Sequence, residues 1–151
     1  MEAQFKVLRQ IRATLIKELD GLTLEQLNQI PSSHNNNIIW NIGHCIVVQE
    51  LLCYALSNLE CNIDKSMISK YKKGSAPEGD VTQEEVDFIR EMLVKSVDLL
   101  EKDYQVGRFI NYKPYTVGFG VHLTSVEEAM EFNLIHEGLH YGYLLALKKL
   151  V

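Results

Sequence analysis

The chain has 151 residues, 46% hydrophobic and 23% charged, which are values of a globular domain able to bury one core. No run of about 18 uncharged apolar residues appears, and the first residues, Met1 to Arg12, interleave charge with apolar side chains where a signal peptide needs an unbroken apolar stretch. A net charge of −5, with no basic cluster beyond pairs such as Lys72-Lys73 and Lys148-Lys149, argues against a phosphate-tracking surface, so the expectation is a single soluble, cytoplasmic domain over 1–151 that binds neither nucleic acid nor membrane.

From about Ala3 to Asp20, Phe5, Leu8, Ile11, Leu15 and Leu19 recur every three or four positions, which predicts a first amphipathic helix stopped at Gly21. Thr23-Leu24-Glu25-Gln26 has capping-box spacing for a short segment ending before Pro31. The polar run Ser32 to Asn37 reads as a loop feeding an N-cap. A second long helix follows to about Ser57, with a stripe of Trp40, Asn41, His44, Val47, Val48, Leu51 and Ala55 that puts His44 on a largely apolar face.

The three cysteines, Cys45, Cys53 and Cys61, lack a C-x-x-C pair and fit reduced thiols better than a disulfide framework. Cys45 follows His44 directly, but neighbours on a helix point about 100° apart, so a Cys-His catalytic pair is disfavoured. Asn58 to Asp80 is a long connection with a short helix near Asp64–Lys72, broken by Gly74, Pro77 and Gly79.

Thr82-Gln83-Glu84-Glu85 is a second capping box, opening a third long helix to about Val106. Arg108 to His122 holds Pro114, Gly118 and Gly120 among Phe109, Tyr112, Tyr115 and Phe119. It reads as an aromatic loop over a bundle end or over the mouth of a site. The fourth long helix starts near Thr124 or Ser125 and runs to about Lys149. Four long helices without a convincing strand predict an all-α four-helix bundle, and a long middle crossover makes its order up-down-down-up.

The last helix carries Ala129, Phe132, His136, His140, Tyr143 and Leu147 on one stripe. Residues four apart on a helix stack on one face, which is the spacing for two ligands of one metal ion. With His44 from the second helix they make a tripod that leaves a coordination position open, the pattern of a catalytic site. The bland alternative is three separate core histidines satisfied by carbonyls or tyrosines.

The string His136-Glu137-Gly138-Leu139-His140 also spells the zinc-protease pattern. That reading needs a third ligand downstream, and the eleven residues after His140 contain no His, Glu, Asp or Cys. Glu137 stands about 100° from His136, so its reach to a metal-activated water is open, and a helix-pairing carboxylate is the plainer role. Gly138, Gly142 and Ala146 form a small-residue track that ordinarily serves close helix approach, within the bundle or across a dimer. His34 and His122 lie in or beside loops, with His122 near the mouth of the same site.

Trp40-Asn41-Ile42-Gly43-His44, followed far downstream by His136-x-x-x-His140 and a Gly-Tyr-Leu tail, resembles the DinB/YfiT-like metalloenzyme superfamily over nearly the whole chain. The resemblance implies an up-down-down-up bundle, a homodimer, and a divalent metal, typically nickel or zinc, on His44, His136 and His140. It further implies a small-molecule substrate and, by analogy with relatives of assigned activity, S-transfer with a low-molecular-weight thiol. Hydrolysis is the other metal-dependent reading, with Glu137 or Tyr143 supporting the ligands. A different class of reading is a non-catalytic, stress-related dimeric bundle in which the metal is structural and the aromatic loop binds a protein partner.

Overall fold

Thr23, Asn37, Asp64, Thr82 and Ser125 each accept a hydrogen bond from the backbone N–H three residues on, and each opens a helix. Caps of this kind are worth about 0.5–2 kcal/mol apiece. They fix the starts of α2 (Leu24–Asn28), α3 (Ile38–Cys53), α4 (Lys65–Tyr71), α5 (Gln83–Gln105) and α6 (Val126–Leu147), which follow α1 (Glu2–Asp20). The computed structural model describes residues 1–151.

The capping box at Thr23 is complete, with Gln26 returning its side chain to the Thr23 N–H. At Thr82 only half forms, because the Glu85 carboxylate is diverted to the Tyr71 hydroxyl and the Lys70 ammonium. The fourth long helix begins at Ser125 rather than Thr124, and Thr124 instead donates its N–H and hydroxyl to Glu128.

The protein is predominantly helical, as expected. α1 packs against α5 and α6, and α3 against the same two, so α3 lies across the bundle from α1. Every residue of α3 except Val48 and Leu51 is buried. The segment Ile38–Ser57 is long and apolar enough to cross a membrane by length and composition, yet 83% of its apolar window is buried inside the fold. A helix apolar on all faces is what a core position demands when neighbours cover each face.

Cross-helix pairs set the registers. Between α1 and α6, Gln4 reaches Glu131 and Lys148 reaches Glu18. Between α1 and α5, Arg9 pairs with Asp98 and Glu101, and Arg90 with Asp20. Gln49 of α3 donates to the Ser96 carbonyl of α5, and Tyr54, just past α3, donates to Asp103.

One buried polar network joins all four long helices. Arg12 of α1 grips Glu137 of α6 through Nε (2.8 Å) and Nη2 (2.6 Å), and Nη2 also donates to Gln49 of α3. Gln49 carries the link to α5 through Ser96. Arg12 and Glu137 are 2% and 0% exposed, so this is an ion pair removed from water whose geometry must offset a large desolvation cost.

The segment Arg108–His122, read as an irregular loop, forms with Leu123 a minimal antiparallel pair of strands, β1 (Tyr115–Thr116) and β2 (His122–Leu123). Gly120, at φ 78°, turns the chain between them. Two-residue strands are too short to show alternation, which is why the pattern was not visible in the sequence. Phe119, in the turn, meets Phe132 of α6 edge-on at 6.0 Å, so the segment folds over the flank of α3 and α6.

Candidate metal centre

α3 and α6 supply the site. His44, the last residue of the Trp40-Asn41-Ile42-Gly43-His44 run, meets His136 and His140, which are stacked four apart on α6. Ring centroids lie 5.1 Å (His44–His136), 4.8 Å (His44–His140) and 4.5 Å (His136–His140) apart. Each imidazole offers one nitrogen within 4.8 Å of the others, a spacing that can hold one metal ion. His44 is buried and the other two are half-buried.

The ring nitrogens are assigned by their partners. His44 Nδ1 is 2.6 Å from the Tyr71 carbonyl, which only accepts, so Nδ1 carries the proton and Nε2 keeps its lone pair. His140 Nδ1 is 2.8 Å from Asn41 Oδ1. The Asn41 amide is oriented by donating its NH2 to Asn36 Oδ1 and the Asn37 carbonyl, so Oδ1 must accept from His140, again freeing Nε2. His136 Nδ1 is buried with no protein partner.

Burial drives all three imidazoles toward the neutral form that a metal needs. Desolvation is the main cause for His136, held at about 3, with further lowering from His140, His44 and Arg12. His140 is held at about 4 by desolvation and then by His44. His44 is lowered by desolvation, partly opposed by its bond to Tyr71.

A cavity of about 500 Å³ opens onto the imidazoles. Its walls are mainly apolar, with Val48, Leu51, Leu52 and Leu56 on the α3 side and Phe132 of α6 and Phe119 of the β1–β2 turn opposite. The aromatic segment therefore stands over the mouth of a site, one of its two expected places.

Each letter of Trp40-Asn41-Ile42-Gly43-His44 has a local task. The Trp40 indole stacks on His44 at 4.8 Å and donates to the Lys70 carbonyl and Ser75 hydroxyl. Asn41 holds His140. Gly43 leaves space for the Tyr71 ring, since a Cβ there would lie 2.7 Å from it. Asn41 and Tyr71 were not identified as site residues from sequence. Asn41 shares the His44 face three residues earlier, which was the available signal, whereas Tyr71 contributes a backbone atom that no side-chain pattern reveals.

Glu137 and Tyr143, expected to support the ligands, are not hydrogen-bonded to any site imidazole and do not line the cavity. Glu137 Oε1 accepts from Arg12 and Asn133, and Oε2 accepts from Arg12, so both oxygens are engaged in the bundle interior. The physical reason is its position about 100° around α6 from His136. The Tyr143 ring lies half-exposed against His34, 5.6 Å away. His122 is exposed, bonded to Thr116, and is not part of the cavity wall. Cys45 is fully buried and its thiol is pushed far up by desolvation, which leaves it a packing residue.

Residues 8–144 match the family model described as DinB superfamily. No curated protein matches the chain.

Proposed function

The chain belongs to the DinB superfamily, and from that premise we propose that it is a metal-dependent enzyme whose ion is held by His44, His136 and His140. The observation that carries this reading is the convergence of three neutral imidazoles at an apolar cavity, two with Nε2 freed by fixed Nδ1 partners. The buried, unpartnered His136 Nδ1 adds to the fit, because a buried polar atom without a partner costs about 1–3 kcal/mol. Three nitrogen donors suit zinc or nickel, and three protein ligands are the complement of a catalytic rather than a closed structural site.

When bound, a divalent ion supplies Lewis acidity that favours hydroxide over water, or thiolate over thiol, near neutral pH. The chain's own residues bind and orient. Asn41 and the Tyr71 carbonyl hold two rings in one tautomer, and the apolar walls exclude water from the reacting groups. Transfer of a low-molecular-weight thiol, or hydrolysis, is the reaction class this arrangement supports. Glu137 acts through structure, anchoring α6 to Arg12.

The registers of the cross-helix pairs support an up-down-down-up bundle in one domain. In α1 and α6, early residues pair with early and late with late (Gln4–Glu131, Glu18–Lys148), as they do from α3 to α5 (Gln49–Ser96, Tyr54–Asp103). Ile135 and Leu139 stand more than half exposed beside Gly138 and Gly142, where an added Cβ meets nothing within 4 Å, and this face supports a homodimer through α6. The non-catalytic alternative, a metal-binding dimer that recruits a protein, lacks an observation that favours it over an accessible cavity.

The reading is tested by assaying purified protein with zinc or nickel, thiol cosubstrates and electrophilic or ester probes. Turnover should require the metal and vanish in His136→Ala. Equal turnover without metal would reject it.

A further inference from the structure

The cavity beside the three histidines has one cationic side chain in its lining, Lys73, and no acidic one. Lys73 forms no ion pair or side-chain hydrogen bond within the protein. Its ammonium lies beside the β1–β2 turn, 3.8 Å from where a Cβ on Gly118 would sit. The backbone that leads into Lys73 is tied down. Trp40 donates to the Lys70 carbonyl, His44 to the Tyr71 carbonyl, and the Ser75 hydroxyl, with its one proton, lies within hydrogen-bond distance of both the Lys70 and the Lys72 carbonyl. The side chains that build the histidine cluster thus also place Lys73.

From this juxtaposition we infer that the substrate is a small molecule with an apolar aliphatic or aryl body and a single anionic group, the body lying on Leu51, Leu52, Phe119 and Phe132 and the anion meeting Lys73. The inference rests on the proposed metal-dependent reading for its catalytic meaning, but the binding claim stands on the cavity alone. An apolar wall recognises shape and area, while one unpaired cation at its edge selects charge and fixes which end of the molecule faces the imidazoles. A neutral molecule leaves Lys73 without a partner, and a cationic one meets repulsion. A polyhydroxylated or zwitterionic molecule finds too few hydrogen-bond partners along these walls to replace its water. That assigns a hydrophilic thiol, where one is used, to the role of second reactant rather than occupant of the apolar cavity.

The test uses the full-length protein freed of metal, so that a carboxylate cannot bind through an ion, and three matched probes: 4-phenylbutyrate, 4-phenyl-1-butanol and 4-phenylbutylamine. Binding is followed by calorimetry and by shifts of the histidine and aromatic NMR signals. The acid should bind roughly 3- to 10-fold tighter than the alcohol, the range for a rim ion pair beside an apolar wall, and the amine should bind weakest. Lys73 is exposed, so Lys73→Met leaves folding intact; it should abolish the preference for the acid while changing alcohol binding less than twofold. Lys73→Glu should reverse the order of acid and amine.

Equal binding of acid and alcohol, an acid preference that survives Lys73→Met, or no perturbation of the cavity by any probe would overturn the inference. Nickel or zinc uptake, measured separately on the same samples, distinguishes this failure from failure of the metal reading. Metal binding without probe selectivity rejects the substrate class alone, and probe selectivity without metal binding rejects the metal alone.

Discussion

Glu137 turns its carboxylate onto Arg12 in a two-pronged ion pair while its neighbour His136 faces the cavity. One helical step thus separates a structural anchor from a candidate ligand, and the H-E-x-x-H string divides into two halves with different work. A protease glutamate must be free to take a proton from water, whereas this one is spent on a guanidinium and the Asn133 amide. Glu137→Gln should destabilise the protein by about 3–5 kcal/mol, because it strands a buried guanidinium. Urea unfolding measures the loss. Replacing both partners, in Arg12→Met with Glu137→Leu, should recover part of it, and a non-additive double-mutant cycle is the signature.

Asn41 links the two ligand-bearing helices through His140. Asn41→Leu should weaken metal binding about 10- to 100-fold by releasing the ring tautomer and orientation. Asn41→Asp, which keeps an acceptor at that place, should retain binding within a few-fold. Competition with a chromogenic chelator reads both.

Gly43 is needed for space rather than for an unusual backbone. A Cβ there would lie 2.7–2.9 Å from three ring atoms of Tyr71, whose carbonyl orients His44. Gly43→Ala should cost about 1–3 kcal/mol through overpacking and should lower metal affinity by shifting that carbonyl. Gly138→Ala, in the interior of α6 with open space at its Cβ, should stabilise the isolated chain by about 0.5–1 kcal/mol, the helix-propensity difference between the two residues.

Acid should unfold the metal-free protein in a defined window. The folded values of His136 (about 3) and His140 (about 4) lie below the ordinary 6.5, so between those limits the unfolded chain binds more protons. Their contribution is complete above about pH 6.5 and is lost as pH falls toward 4 for His140 and toward 3 for His136. Each contributes a slope of up to about 1.4 kcal/mol per pH unit, reduced by the partial exposure of both rings. Chemical denaturation at pH 7.5, 6.0 and 5.0 should show the decline, and His140→Phe should flatten it.

The sequence made the local features legible. The i, i+4 spacing of His136 and His140, the apolar face around His44 and the caps at Thr23 and Thr82 depend on neighbours a few residues away. What escaped it depends on distant partners. Arg12 looked like one more charge on an amphipathic helix, and only the folded chain shows that it meets Glu137, 125 positions later. Lys73 sat in a breaker-rich connection, and its place at the cavity follows from Trp40 and His44 gripping the backbone beside it. The β1–β2 pair was too short to leave a periodic trace.

The most direct measurement is the metal content and X-ray absorption spectrum of untagged protein and its His136→Ala variant, each loaded with zinc or nickel and passed through a desalting column. The account predicts about one ion per parent chain with a first shell containing three imidazoles, and loss of that ion in the variant without unfolding. A parent chain that retains no ion, or a variant that retains it with an unchanged shell, would contradict the assignment of His44, His136 and His140 as a metal centre.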